Sequence, residues 1–161
     1  MMQQTAGTSV LVDIVIPVFN EEMAVEAFHQ QLSLVIDQIN GFCFSIIYIN
    51  DGSTDQTQSV LEHIAAVDER VTVLELSRNF GQQAALTAGL DASLGQYVIT
   101  MEGDGQQPPG LLPEMLKLGA TIGIGPFSLA KDDPWASVLN ESKIHFIKVW
   151  RDGTAIFSGY Q

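Results

Sequence analysis

Four short stretches of this chain gather acids, amides and one arginine: Asn20-Glu21-Glu22, Asn50-Asp51, Arg78-Asn79 and Glu102-Gly103-Asp104-Gly105-Gln106-Gln107. Their oxygens accept hydrogen bonds, and Arg78, one of only seven basic residues, suits contact with a phosphate. Each stretch alone reads equally well as a solvated turn or a helix cap, given the turn preferences of Asn, Asp and Gly. Other chemistries lack their signatures. No Gly-x-Ser-x-Gly, Walker or Gly-x-Gly-x-x-Gly pattern occurs, which argues against hydrolase, P-loop and dinucleotide readings. His29, His63 and His145 are scattered without ligand spacing and read as surface or amphipathic-helix residues.

The elements that would position these stretches follow a βα rhythm, in which short β-branched runs alternate with helical periodicity. The first strand is predicted over residues 12–16 and ends before Pro17, which cannot donate a ladder hydrogen bond. Residues 22–39 carry Val25, Phe28, Leu32, Val35, Ile36 and Ile39 on one helical face, with Asn40-Gly41 as a stop. A strand over 45–49 then runs into Asn50-Asp51-Gly52-Ser53. There Ser53 and Gln56 can form a capping box for a helix bearing Val60, Leu61, Ile64 and Val67. A third strand over 71–76 precedes a helix rich in Ala84, Ala85, Ala88, Gly89 and Ala92, small enough to lie close to a sheet, and Gly95 stops it. A fourth strand over 97–101 leads through the Glu102 loop to a helix over 111–118. The class is α/β with a mainly parallel sheet, and all four polar stretches fall at the carboxyl ends of strands, where open parallel sheets bind ligands. After Leu118 the periodicity is lost, so residues 1–118 read as one domain and 119–161 as a divergent tail.

Composition narrows the partners. A formal charge of −12 disfavours nucleic acid and anionic lipid, and a phosphate-bearing ligand would need a cation or a local Arg. With 46% apolar residues the chain can bury an ordinary core. Cys43, the single cysteine, permits no intrachain disulfide and is expected as a small buried thiol. The opening residues lack a basic leader and no apolar run reaches membrane-spanning length, so the chain reads as cytoplasmic.

Four motifs in order, Ile14-Val15-Ile16-Pro17-Val18-Phe19-Asn20-Glu21-Glu22, Asn50-Asp51-Gly52-Ser53-Thr54-Asp55, Ser77-Arg78-Asn79-Phe80-Gly81 and Asp104-Gly105-Gln106-Gln107-Pro108-Pro109, resemble family-two glycosyltransferases of GT-A type. The last two are similar to the group that loads a sugar onto dolichyl or undecaprenyl phosphate. The resemblance covers roughly the first 118 residues. It implies a Rossmann-like GT-A domain for nucleotide-diphospho-sugars, three-layered α/β/α and altered or truncated at the C-terminus. It implies inverting transfer from a UDP- or GDP-linked sugar to a polyprenyl phosphate or other cell-envelope acceptor, with a peripheral place at the inner membrane face.

By the same resemblance Pro17, Asn20, Glu21 and Asp51 border the nucleotide, with Asp51 a candidate for bonding the base and helix capping near Ser53 its alternative. Glu102-Gly103-Asp104 stands where the family carries an acidic triplet, usually with Asp at both ends, for Mg²⁺ or Mn²⁺. Asp104 and the Gln106 amide oxygen are the candidate metal ligands, and Asp104 and Glu102 the catalytic pair. Glu102 in place of Asp, and Gly105 where relatives often carry an apolar residue, depart from the pattern. A lipid phosphate is already ionised at neutral pH and needs no general base. The relatives continue with basic interface segments that this tail lacks; the codons of 138–144, read two bases later, can encode Leu-Lys-Arg-Ile-Lys-Asn, consistent with a frame slip. The competing reading is an inactive nucleotide-sugar-binding remnant lacking the acceptor half. A phosphoacceptor signalling domain fits poorly, since it needs an acidic pair after the first strand and a lone Asp after the third.

Overall fold

The computed structural model describes residues 9–95, 97–104, 109–114 and 116, and the backbone of 145–147. Strands β1 (Val10–Val18), β2 (Phe42–Asn50), β3 (Val71–Glu75), β4 (Tyr97–Thr100) and β5 (His145–Ile147) form one sheet in the order β3-β2-β1-β4-β5. The first four are parallel, and β5 runs antiparallel along β4. Helices α1 (Val25–Ile36), α2 (Thr57–Val67) and α3 (Gln82–Ala92) connect them. The rest of the predicted tail lies outside the described residues.

Side-chain alternation along β1 splits the core in two, because a strand's successive residues face opposite sides of the sheet. Val12, Ile14, Ile16 and Val18 pack with Val25, Phe28, Leu32 and Ile36 of α1 and Leu61 and Ile64 of α2. Val15 points the other way, with Ile47, Ile49 and Val98, toward Ala85 of α3. The result is the expected three-layer α/β/α arrangement. The small residues of α3 have a structural reason: a Cβ on Gly89 would overlap the Val15 side chain. The buried Asp13 carboxylate accepts the N–H groups of Leu94 and Gly95 at 2.7 and 2.6 Å and so fixes the turn into β4.

Several expectations need correction. Strand β1 continues through Pro17 to Val18, where the predicted strand stops at Ile16. The Val15 carbonyl addresses the β4 side, where it accepts from Met101 N–H, and Pro17, two residues on, addresses the same side beyond the last β4 pairing. No ladder bond is lost there. Helix α1 starts at Val25, after a turn in which Ala24 and Val25 N–H both bond the Glu21 carbonyl, and it ends at Ile36 with a tighter turn bonding Ile39 N–H to the Ile36 carbonyl. Cys43 is exposed, since β2 begins at Phe42, ahead of the β3 ladder that starts at Ile46. The predicted Ser53–Gln56 capping box is not formed: α2 has no side-chain cap at Gln56, and Asp55 accepts Thr57 N–H instead. Val67, expected on the inward face of α2, is 75% exposed at the helix end. Of the two places read for His29, surface or amphipathic helix, it takes the second, on the buried face of α1. No helix among the described residues is long and apolar enough to cross a membrane.

Candidate active site

The strand order places a reversal between β1 and β4: the chain moves outward from β1 through β2 to β3, then returns through α3 to lay β4 on the other side of β1. At such a switch point the connections diverge to opposite faces and leave a crevice at the carboxyl ends of the strands. A cleft of about 370 Å³ lies there. Its walls are Pro17, Val18, Phe19 and Glu21 after β1, Asp51 after β2, Asn79, Gly81 and Gln82 after β3, and Glu102, Gly103 and Asp104 after β4.

Two glycines let these loops approach each other. Gly52, with φ +66°, lies so close to the β3–α3 loop that a Cβ would overlap the Arg78 and Asn79 backbone. Only a residue without a side chain holds both that dihedral and that contact. Gly103 is pressed against β1, where a Cβ would meet the Val18 side chain at 2.7 Å and that of Ile16 at 3.2 Å. Neither glycine was singled out by the motif reading, although Asn50-Asp51-Gly52 carried a turn signal that could have found the first.

The structure brings Pro17, Glu21, Asp51, Glu102 and Asp104 together in the cleft. Asp51 is buried, and its carboxylate accepts Phe80 N–H at 2.8 Å and Gly81 N–H at 3.1 Å. It therefore ties the β2 end to the residues leading into α3, rather than capping α2 beside Ser53. A carboxylate has about four lone-pair directions, so two remain for a ligand. Burial pushes the Glu21 carboxyl above its ordinary value, and the negative charges of Asp104 and then Asp55 push it the same way. Gln82 Nε2 lies 3.5 Å from Glu102 Oε1, a marginal hydrogen bond across the cleft floor.

Two expected site residues do not line the cleft. Asn20, at φ +51°, turns its amide to the 53–57 loop and accepts Thr54 N–H at 2.8 Å. Arg78 is exposed, with its guanidinium 4.1 Å above the Phe80 ring, a cation–π contact. Gln106 lies outside the described residues.

The cleft is thus a negatively charged crevice with donors and acceptors from four loops. The described residues contain no group of three or more His, Cys, Asp or Glu that could hold a metal ion by itself. Magnesium-type sites commonly use one or two carboxylates and complete their shell with water and substrate phosphate oxygens. Asp104 and Glu102 fit that donor set, and the crowding of Glu21 by Asp104 marks a place where a cation would relieve repulsion.

Comparison with known proteins agrees with this architecture. The chain is 38% identical over 104 residues to the glycosyltransferase YkcC of Bacillus subtilis (strain 168), a stretch that is 65% of this chain and 32% of that protein. It is 36% identical over 106 residues to the prophage bactoprenol glucosyl transferase homolog of Escherichia coli (strain K12), covering 66% of this chain and 34% of that one. The chain therefore spans about a third of the length of the curated relatives it matches. Its backbone is similar to the mannosyltransferase PcManGT from Pyrobaculum calidifontis in complex with GDP-Man and Mn²⁺, with a TM-score of 0.51 at 21% identity over 62% of this chain and 29% of that one. At that identity the likeness carries the fold alone, a GT-A glycosyltransferase fold. With the switch-point cleft in place and residues 13–121, more than half of the chain, matching the family described as Glycosyl transferase family 2, the chain belongs to that family.

Proposed function

We propose that residues 1–118 form the donor-binding domain of an inverting glycosyltransferase that passes a sugar from a UDP- or GDP-linked donor to a polyprenyl phosphate at the membrane surface. The observation that carries this reading is the acid-lined cleft at the β1–β4 switch point, built from loops that follow all four parallel strands. The bactoprenol named for one relative supports a polyprenyl acceptor. The Mn²⁺ and GDP-Man bound by a structural neighbour support a divalent ion and a nucleotide-sugar.

In this reading Pro17, Glu21 and Asp51 meet the nucleoside, with Asp51 accepting a ring N–H through its unused lone pairs. Asp104 and Glu102 would hold Mg²⁺ or Mn²⁺, with the Gln106 amide oxygen expected as a further ligand. Arg78, the one basic side chain of the 77–82 loop, would leave the Phe80 ring to meet the phosphates. When bound, the ion neutralises charge that develops on the departing diphosphate. An ionised oxygen of the lipid phosphate attacks the anomeric carbon from the face opposite the donor bond. A new C–O bond forms as the bond to the nucleoside diphosphate breaks, and the configuration inverts. The protein's contribution is alignment and electrostatic stabilisation, with no proton to remove from the acceptor.

Thermal melts of the purified chain with UDP, GDP and their sugars, with and without Mn²⁺, test this. A ligand at a hundred times its Kd adds about 2.7 kcal/mol of stability. A metal-dependent shift with one nucleotide, lost in Asp104→Ala, is the expected result. A cooperative melt unmoved by every nucleotide overturns the donor site and the nucleotide-sugar-binding remnant with it; where a shift is found, sugar transfer by the purified chain separates the enzyme from that remnant.

A further inference from the structure

Residues 20–22 and 53–57 are joined by reciprocal hydrogen bonds that neither loop could make alone. Asn20 N–H donates to Ser53 Oγ at 2.9 Å, Glu21 N–H to Thr57 Oγ1 at 2.9 Å and Glu22 N–H to Asp55 Oδ2 at 3.3 Å. In return, Asn20 Oδ1 accepts Thr54 N–H at 2.8 Å and Glu22 Oε2 accepts Gln56 N–H at 2.8 Å. The fully buried Thr57 is the pivot, because its hydroxyl accepts from Glu21 and donates to Asp55 Oδ1. Three successive backbone donors on one loop are each taken by a different side chain of the other. The bracket also holds Asn20 in a left-handed conformation that non-glycine residues keep only where their surroundings over-determine it.

Of this bracket Glu21 lines the cleft, whereas Asn20, Asp55 and Thr57 are not among its walls. We infer that Thr57, Asp55 and Asn20 are positioning residues of the donor site, acting through Glu21 rather than by touching the nucleotide-sugar. The inference builds on the reading of the cleft as a donor site. Supporting groups of this kind orient the groups that meet a ligand or its metal, and losing one costs about ten- to a hundredfold in affinity or activity.

The test is calorimetric titration of the full chain with UDP and with GDP in the presence of Mn²⁺, alongside urea unfolding of each variant. Thr57→Val is nearly isosteric and removes the hydroxyl pivot; it is expected to weaken nucleotide binding about tenfold or more. Thr57→Ser is expected to restore it. Asn20→Gly keeps the left-handed backbone but deletes the amide that accepts Thr54 N–H, and is expected to weaken binding in the same way. Tyr48→Phe, which loosens a polar contact in the core away from the bracket, controls for stability lost without effect on the site. Binding by the wild-type chain that Thr57→Val and Asn20→Gly match, or a loss that Tyr48→Phe reproduces at equal destabilisation, overturns the inference alone. Absence of binding by the wild-type chain overturns the donor-site reading, and the inference with it.

Discussion

At the amino edge of the sheet, side chains satisfy one another. Arg70 bonds Asp68 through Nε at 2.9 Å and Nη2 at 2.8 Å, and reaches Asp37 through Nη1 at 2.7 Å. The Asp68 carboxylate lies 3.2 Å from Nε2 of the buried His29, whose Nδ1 is 3.0 Å from the Tyr48 hydroxyl. At the carboxyl edge the same residue types are spent on backbone N–H groups of neighbouring loops, as Asp51, Asp55 and Asn20 show. The first network joins α1, β2 and the α2–β3 turn and supports the fold. The second pins loops together and so sets the walls of a cleft. Place decides what such a side chain does: Asp13 serves the backbone of the turn into β4 at the amino edge, whereas Asp51 and Asp55 serve loops that wall the cleft.

The largest expected effect strikes the carboxyl edge. Gly52→Ala introduces a Cβ at positive φ into the Arg78 backbone and should destabilise by about 3 kcal/mol or more, read by urea unfolding, with nucleotide binding lost from the fraction that folds. A mild effect would mean that the 78–81 loop is not seated on Gly52, and the contrast between the edges would weaken.

Next in size, Asp68→Ala at the amino edge leaves Arg70 only Asp37 and Ser33 as partners and removes a carboxylate that the Arg70 hydrogen bonds hold down at about 2. Stability should fall by about 2 kcal/mol at neutral pH while the nucleotide Kd stays unchanged. Asp68 contributes fully above its unfolded value of 3.8, and its contribution disappears only as pH falls toward 2. A shift in Kd would show that the two edges are coupled.

His29 sets a second pH window. Burial holds its pKa below the ordinary 6.5, the dominant effect, although the Asp68 charge opposes it. Between the lowered value and 6.5 the unfolded chain binds a proton that the folded chain refuses, so stability should be full above this window and decline as pH falls through it. Urea unfolding at several pH values should show this slope, and His29→Gln should remove it. A slope that survives the substitution would place the titration elsewhere.

The smallest change is Glu21→Gln. The carboxyl is raised by burial and by the neighbouring Asp104 and Asp55, so its charge costs stability at neutral pH and costs nothing once it is protonated. The variant should melt a few degrees higher at pH 7, with the gain vanishing in acid, and should bind Mn²⁺ less well. A lower melting temperature at pH 7 would mean that Glu21 serves the fold more than the cleft.

The βα order and the inward faces were legible because hydrophobic periodicity is local: Val25, Phe28, Leu32 and Ile36 advertise one side of α1, and each is buried. Element ends were less legible. Helix α1 starts late because residues 21–24 form a separate turn, with Ala24 N–H and Val25 N–H both bonding the Glu21 carbonyl, on a loop that Ser53, Asp55 and Thr57, more than thirty residues away, hold in place. Glu21, Asp51, Glu102 and Asp104 were named from their loops, and the strand order gathers them. The motif reading could not tell that Asn20 turns away from the cleft, because the same amide can bond a ligand or a neighbouring loop.

The sequence by itself determined the order of strands and helices, the main inward faces and which loops follow the carboxyl ends, since all of these follow from spacing along the chain. Only the tertiary structure decided where β4 returns beside β1, which glycines must lack a Cβ, and whether a given carboxylate serves backbone or cleft. Those outcomes depend on contacts between segments distant in sequence, whose geometry no local pattern encodes.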